Sequence, residues 1–191
     1  GEAESPLGNL FADALRGSSP GVDLAITNNR IGGLRADLPA GPLTLGRLYD
    51  VFPFDNRVVR LSVTGADLTR VVADEINRRR PGTLAISGIH VRAACEGGRI
   101  AVELYRATGR RVDGAEQLIV ATVDSLAAGA VFASVRPAGG LVVADEAPLL
   151  RETIERWLRG RGERVAADQF VDPRHPRWQY ADGLRSGCSG A

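Results

Sequence analysis

Apolar residues recur along this 191-residue chain with two alternating periods, and the order in which those periods change is its strongest constraint on the fold. Leu7, Leu10, Phe11 and Ala14 follow Ser5 and Pro6 at helical spacing, the pattern of a capped helix with proline in its first turn. Val22 to Thr27 reads as a short buried strand running into Asn28 to Gly33, a segment rich in turn-forming residues. Leu43 to Val51 reads as a short helix capped by Thr44, and Val58 to Val63 alternates as a strand does. Thr64 then caps a helix with Leu68, Val71, Val72 and Ile76 on one face, broken at Arg78, Arg79, Arg80, Pro81 and Gly82. Two strand patterns, Ile89 to Ala94 and Ile100 to Tyr105, follow back to back and turn at Glu96, Gly97 and Gly98. A buried strand at Leu118 to Thr122 and a helix from Ala147 to Arg159 complete the elements, and residues 171–191 read as an irregular tail.

A doubly wound parallel sheet needs regular strand–helix alternation, which a hairpin interrupts. The pattern therefore predicts an α+β fold with mixed sheets flanked by helices, and the length suits a single domain over residues 1–191. A chain that starts at Gly1 and holds no methionine is expected to be a piece of a longer product. No apolar run approaches the roughly 20 residues that span a bilayer, so no membrane span is expected.

The formal net charge of +1 lacks the basic excess that makes a nucleic acid polymer a default partner. All basic residues are arginine. His90 and His175 are the only histidines, too few for a histidine-rich metal centre, and the carboxylates do not cluster, so no metal ligand and no catalytic residue is assigned to this chain. Cys95 and Cys188 lack paired zinc spacing; a disulfide tying down the tail and two free thiols are both open. What remains is a binding constellation. Asn28 to Arg35 offers glycines and an arginine, and Phe54, Asp55 and Asn56 follow a proline; backbone amides, an anion-pairing fork and a stacking ring suit a small planar anionic ligand.

At these residues the chain resembles the C-terminal domain of the 5'-nucleotidase family. The resemblance rests on ESPLGNLFADAL, then GGLRADLPAGPLTLGRLYDVFPFDNRVVRLSVTGADL, then ISGIHV and LIVATVDSL, in order from Glu4 to about Phe132. It implies a nucleotide- or nucleoside-binding domain partnered by an N-terminal metallophosphatase domain, which would hold two divalent metal ions and do the chemistry. It also implies a periplasmic or extracellular location. Carried over position by position, it implies that Gly32, Gly33 and Arg35 of the glycine loop, and either Asn28 or Asn29, contact substrate. Phe54 and Asn56 would contact the base, with Asp55 in place of the family's glycine, and Gly88 would line the base site. The chain departs from the pattern at Ala3, where relatives carry arginine, and at Ser125, where they carry a second stacking phenylalanine. The turn after it is shortened to Gly129, Ala130 and Val131, without its aspartate, and Phe132 is the nearest ring to replace the missing one. These departures support a second reading, a structural or interaction module whose pocket has decayed.

Overall fold

The computed structural model describes residues 4–29, 33–78, 83–136, 140, 143–162, 164–181, 184 and 188. Ser5 caps helix α1 (Pro6–Gly17): its Oγ accepts from the Gly8 amide at 3.0 Å, with Pro6 in the first turn. Strand β1 (Leu24–Asn28) is followed by α2 (Leu45–Val51), capped by the Thr44 hydroxyl, and by β2 (Val58–Thr64). Helix α3 (Gly65–Arg78) starts at a reciprocal cap: the Asp67 amide donates to Thr64 Oγ1, and the Thr64 amide and hydroxyl donate to the Asp67 carboxylate. Then come β3 (Leu84–Ser87), β4 (Ile89–Glu96), β5 (Arg99–Arg106), β6 (Gln117–Val123), the short α4 (Asp124–Ala128), α5 (Leu150–Arg161) and β7 (Trp178–Tyr180).

Among the described residues two sheets form, both mixed. The first runs β2-β6-β1-β3, with β1 parallel to β6 and the other pairs antiparallel. The second runs β5-β4-β7, with β4 antiparallel to β5 and parallel to β7. Gly97 and Gly98 turn the β4–β5 hairpin with φ of 56° and 75°, the left-handed pair that a two-residue hairpin loop requires. Helix α1 lies on β1 and β3, α5 packs on α1, and α3 covers β5. Phe11, Phe52, Ile26, Leu68, Leu118, Phe132 and Leu150 are fully buried in the continuous core between these layers. This is the α+β architecture expected from the sequence.

Two expectations are corrected and one open alternative is decided. The last helix begins at Leu150 rather than Ala147, because residues 147–149 edge the sheet instead: Val58 donates to the Pro148 carbonyl and Leu149 bridges Arg57. The segment 171–191 is not wholly irregular: β7 pairs with β4, and buried Trp178 stacks on Tyr180. Of the two cysteine alternatives the structure has the disulfide, Cys95–Cys188, with Cα atoms 5.5 Å apart. The breaker at residues 79–82 and the departure at Ala3 lie outside the described residues.

Opposite the α2 end of the first sheet, Glu116 receives hydrogen bonds from Arg110 and Arg106. Those bonds, Arg110's foremost, hold its carboxyl at about 2 instead of 4.5. A depressed folded-state value means that its stabilisation is complete above about 4.5 and is lost as pH falls toward about 2. Glu116→Gln should therefore melt below wild type at pH 7, and the gap should close as pH drops through that window. A gap independent of pH would contradict this assignment.

Candidate functional site

The residues that the sequence singles out fall at two ends of the first sheet. Because β1 and β6 run parallel and β2 antiparallel to β6, the end of β1, the end of β6 and the start of β2 share one edge. Asn28 and Asn29, Ser125, and Asn56 stand at that edge. Gly88 does not: it follows β3, whose Ser87 pairs with Ala25 near the start of β1. With φ of 93°, Gly88 presses its backbone on Asp23 and Arg16, and an added Cβ would lie 2.5 Å from the Asp23 carbonyl oxygen. Close chain packing accounts for this glycine.

The two asparagines separate in role. Asn29 is buried: its Oδ1 accepts from Ser5 Oγ at 2.6 Å, its amide donates to the Thr83 carbonyl, and its own carbonyl accepts from Gly33 and Leu34. It ties the loop to the cap of α1. Asn28 is half-buried at the end of β1, and Gly33 packs directly on its Cβ, leaving no space for a larger residue. Gly32 lies outside the described residues. Asn29→Ala leaves the Thr83 pairing intact but strips a buried hydroxyl of its acceptor, so it should cost about 1–3 kcal/mol in urea unfolding. A loss below about 0.5 kcal/mol, the level of an ordinary surface substitution, would remove the structural role.

Arg35 and Phe54 come together. The Arg35 amide donates to the Val51 carbonyl at 2.8 Å, which fixes the loop against the end of α2. Its exposed guanidinium carbon lies over the Phe54 ring, 5.2 Å from the centroid. Phe54 is half-buried and meets buried Phe52 edge-on, with centroids 5.2 Å apart; Phe52 in turn contacts Phe11. A partly exposed ring is thus backed by the core. Two residues on, Asn56 Nδ2 donates to Ser125 Oγ at 2.8 Å, and the Asn56 carbonyl accepts from the Leu150 amide. Ser125 is exposed at the start of α4, where it supplies a hydroxyl and no ring. The expectation that Phe132 replaces the missing ring is corrected: Phe132 is fully buried in the core.

Sequence reasoning missed Arg151. Helix α5 carries this guanidinium beneath the 52–56 segment, only 4% exposed. Nη1 donates to the carbonyls of Phe54 at 2.9 Å and Phe52 at 3.4 Å, and Nη2 donates to Tyr49 Oη at 2.7 Å and Asp55 Oδ1 at 2.8 Å. Arg151's own position in the sequence, next to apolar Leu150 on a helix, carries no local signal for this role.

Among the described residues no three of His, Cys, Asp and Glu lie close enough to hold a metal ion, and no helix is long and apolar enough to cross a membrane. The metal ions that the resemblance implies for a partner domain have no fitting donor set here. An open cleft of about 1100 Å³ runs beside the site, between the start of α1, residues 37–45 and residues 158–170. Arg35, Phe54, Asn56 and Ser125 do not line it, and it touches the constellation only through Ser5, the partner of Asn29.

The model of the 5'-nucleotidase C-terminal domain matches residues 1–133, more than two thirds of the chain. The chain belongs to this family. Among curated relatives it is 33% identical over 138 residues to Endonuclease YhcR of Bacillus subtilis, covering 72% of this chain and 11% of that protein. It is 32% identical over 82 residues to the Trifunctional nucleotide phosphoesterase protein YfkN of the same organism, covering 41% of this chain and 6% of that one. The solved 5'-nucleotidase precursor of Thermus thermophilus superposes with a TM-score of 0.71 at 24% identity, over 94% of this chain and 36% of that one. This 5'-nucleotidase C-terminal domain thus spans about a tenth or less of those curated relatives and about a third of the solved neighbour.

Proposed function

We propose that this domain recognises the nucleoside part of a nucleotide-type substrate on behalf of a metallophosphohydrolase domain preceding it. The observation that carries the reading is the placement of the Arg35 guanidinium over a half-exposed Phe54 ring, at the sheet edge that also bears Asn56. Phe54 stacks on one face of the base, Asn56 hydrogen-bonds its edge, and Arg35 pairs with a phosphate or ribose oxygen. Binding the remote part of the substrate orients the scissile phosphate for chemistry done elsewhere. The nucleotide phosphoesterase named among the relatives supports that substrate class. The Cys95–Cys188 disulfide supports an oxidising, periplasmic or extracellular setting.

Two outcomes test the division of labour. The 191-residue chain alone should not hydrolyse AMP with magnesium, manganese or zinc present; metal-dependent turnover that co-purifies with it would overturn the reading. Arg35→Ala should weaken a nucleotide about tenfold to a hundredfold while weakening the matching nucleoside less, as loss of a charged hydrogen bond requires. Equal weakening of both ligands would place Arg35 away from the phosphate.

A second reading has its own support. Ser125 offers no ring and Phe132 is buried, so the site has one stacking face where the family resemblance implies two. A structural or interaction module with a decayed pocket would show no saturable binding of any nucleoside, nucleotide or nucleotide sugar.

A further inference from the structure

Residues 52–56 belong to no helix or sheet ladder, yet they carry the ring and the amide of the candidate site. A segment of this kind holds one conformation only if its backbone polar groups find fixed partners. Here α5 supplies them. Its first amide, Leu150 N–H, donates to the Asn56 carbonyl, using one of the unpaired donors of a helix start. One residue later, Arg151 reaches under the segment and takes the carbonyls of Phe52 and Phe54, two residues apart on an extended chain, with a single nitrogen.

The other nitrogen of the fork binds Tyr49 Oη and the Asp55 carboxylate, and the guanidinium lies 3.6 Å from the Tyr49 ring centroid. The end of α2 and the segment after it are thus held by one planar cation. The cation is buried while its counter-charge, Asp55, is 76% exposed, so the pair spans the boundary between core and solvent directly beside the Phe54 ring. A lysine ammonium has the charge but not the flat fork with two separated nitrogens.

We propose that Arg151 is a positioning residue for the Phe54 stacking platform, with Asp55 as the surface counter-charge that orients it. Arg151 touches no substrate; it sets the angle at which Phe54 leaves the core and so acts through that ring. Exposed Asp55 and the buried arginine form one device in this chain. The proposal rests on the recognition reading above, and its test separates the two.

The ligand-free readout is fluorine NMR of the chain carrying fluorophenylalanine, with the Phe54 line assigned by its loss in Phe54→Leu. Asp55→Asn, Asp55→Gly and Arg151→Lys should shift or broaden the Phe54 line, with smaller changes at Phe52 and none at Phe11, Phe132 or Phe170. Ile154→Val, which trims the buried face of the same helix, should lower the melting temperature without moving the Phe54 line. In calorimetry with AMP, adenosine and UDP-glucose as probes, Arg151→Lys should weaken the tightest of them about tenfold and Asp55→Asn a few-fold. Asp55→Asn removes only an exposed carboxylate, so it keeps the test open if Arg151→Lys does not fold. A Phe54 line unmoved by the Asp55 variants, or moved as much by Ile154→Val, overturns the positioning role whatever the chain binds. A wild-type chain that binds none of the probes, but whose Phe54 line responds as expected, removes the recognition reading and leaves the clamp on Phe54 standing.

Discussion

Replacing Phe54 by alanine should weaken binding of the preferred nucleoside ligand by about tenfold to more than a hundredfold. Stacking a base on an aromatic side chain is worth roughly 1–3 kcal/mol, and each 1.4 kcal/mol is a factor of ten in affinity. In a site with two rings the loss of one is partly covered by the other. Here Ser125 offers no ring and Phe132 is sealed in the core, so under the proposed reading Phe54 would carry the whole stacking contribution. The stability cost should be smaller than for a core ring, because one side of Phe54 already faces solvent. Calorimetry paired with urea unfolding separates the effects: an affinity loss under about threefold in a folded variant would show that no base stacks there.

Phe132→Ala should do the reverse. Removing a fully buried phenylalanine typically costs about 3–5 kcal/mol, through the lost transfer of the ring and the cavity it leaves. Phe132 sits in the core just before the short turn Ala133–Val135, so the variant should be strongly destabilised in urea. Any molecules still folded should keep their nucleoside affinity to within about threefold, since the ring is not available to a ligand. A variant of near wild-type stability that has lost its affinity would mean that Phe132 leaves the core to stack, as the sequence alone suggested it could.

The contrast between these two phenylalanines shows where reading the sequence succeeds. Elements with several turns or a clean alternation were legible: the capped start of α1 at Ser5 and Pro6, the Thr64–Asp67 cap of α3, and the Gly97–Gly98 hairpin each carry a local signal that needs no tertiary information. Strands of three or four residues were not. Strand β3 and strand β7 are too short for a period to show, and β7 exists because Trp178 is buried against β4, a contact between segments far apart in the chain. The start of α5 is obscured for a related reason, since an extended strap along β2 and a first helical turn have the same apolar composition.

The candidate site was half legible. Family resemblance drew attention to Arg35, Phe54 and Asn56, and the sheet topology brings them to one edge. It also drew attention to Gly88 and Asn29, and their surroundings give each a packing role: Gly88 lies against Asp23 at the far end of β1, and the side-chain oxygen of Asn29 is occupied by Ser5. Arg151 carried no signal at all. An arginine next to an apolar helical position is usually a solvated charge, and only the folded chain places it under Phe52 and Phe54. Its clamp also explains why an aspartate can stand at position 55 without opening the loop.

Central to the account is that this edge of the first sheet binds a nucleoside. Its most direct test is calorimetric titration of the 191-residue chain with a panel of nucleosides, nucleotides and nucleotide sugars, run beside Phe54→Ala. The account predicts saturable one-to-one binding of at least one ligand, weakened about tenfold or more by the substitution. Absence of heat across the whole panel up to millimolar ligand, matched by unmoved amide spectra in NMR, would contradict it, as would binding that Phe54→Ala leaves untouched.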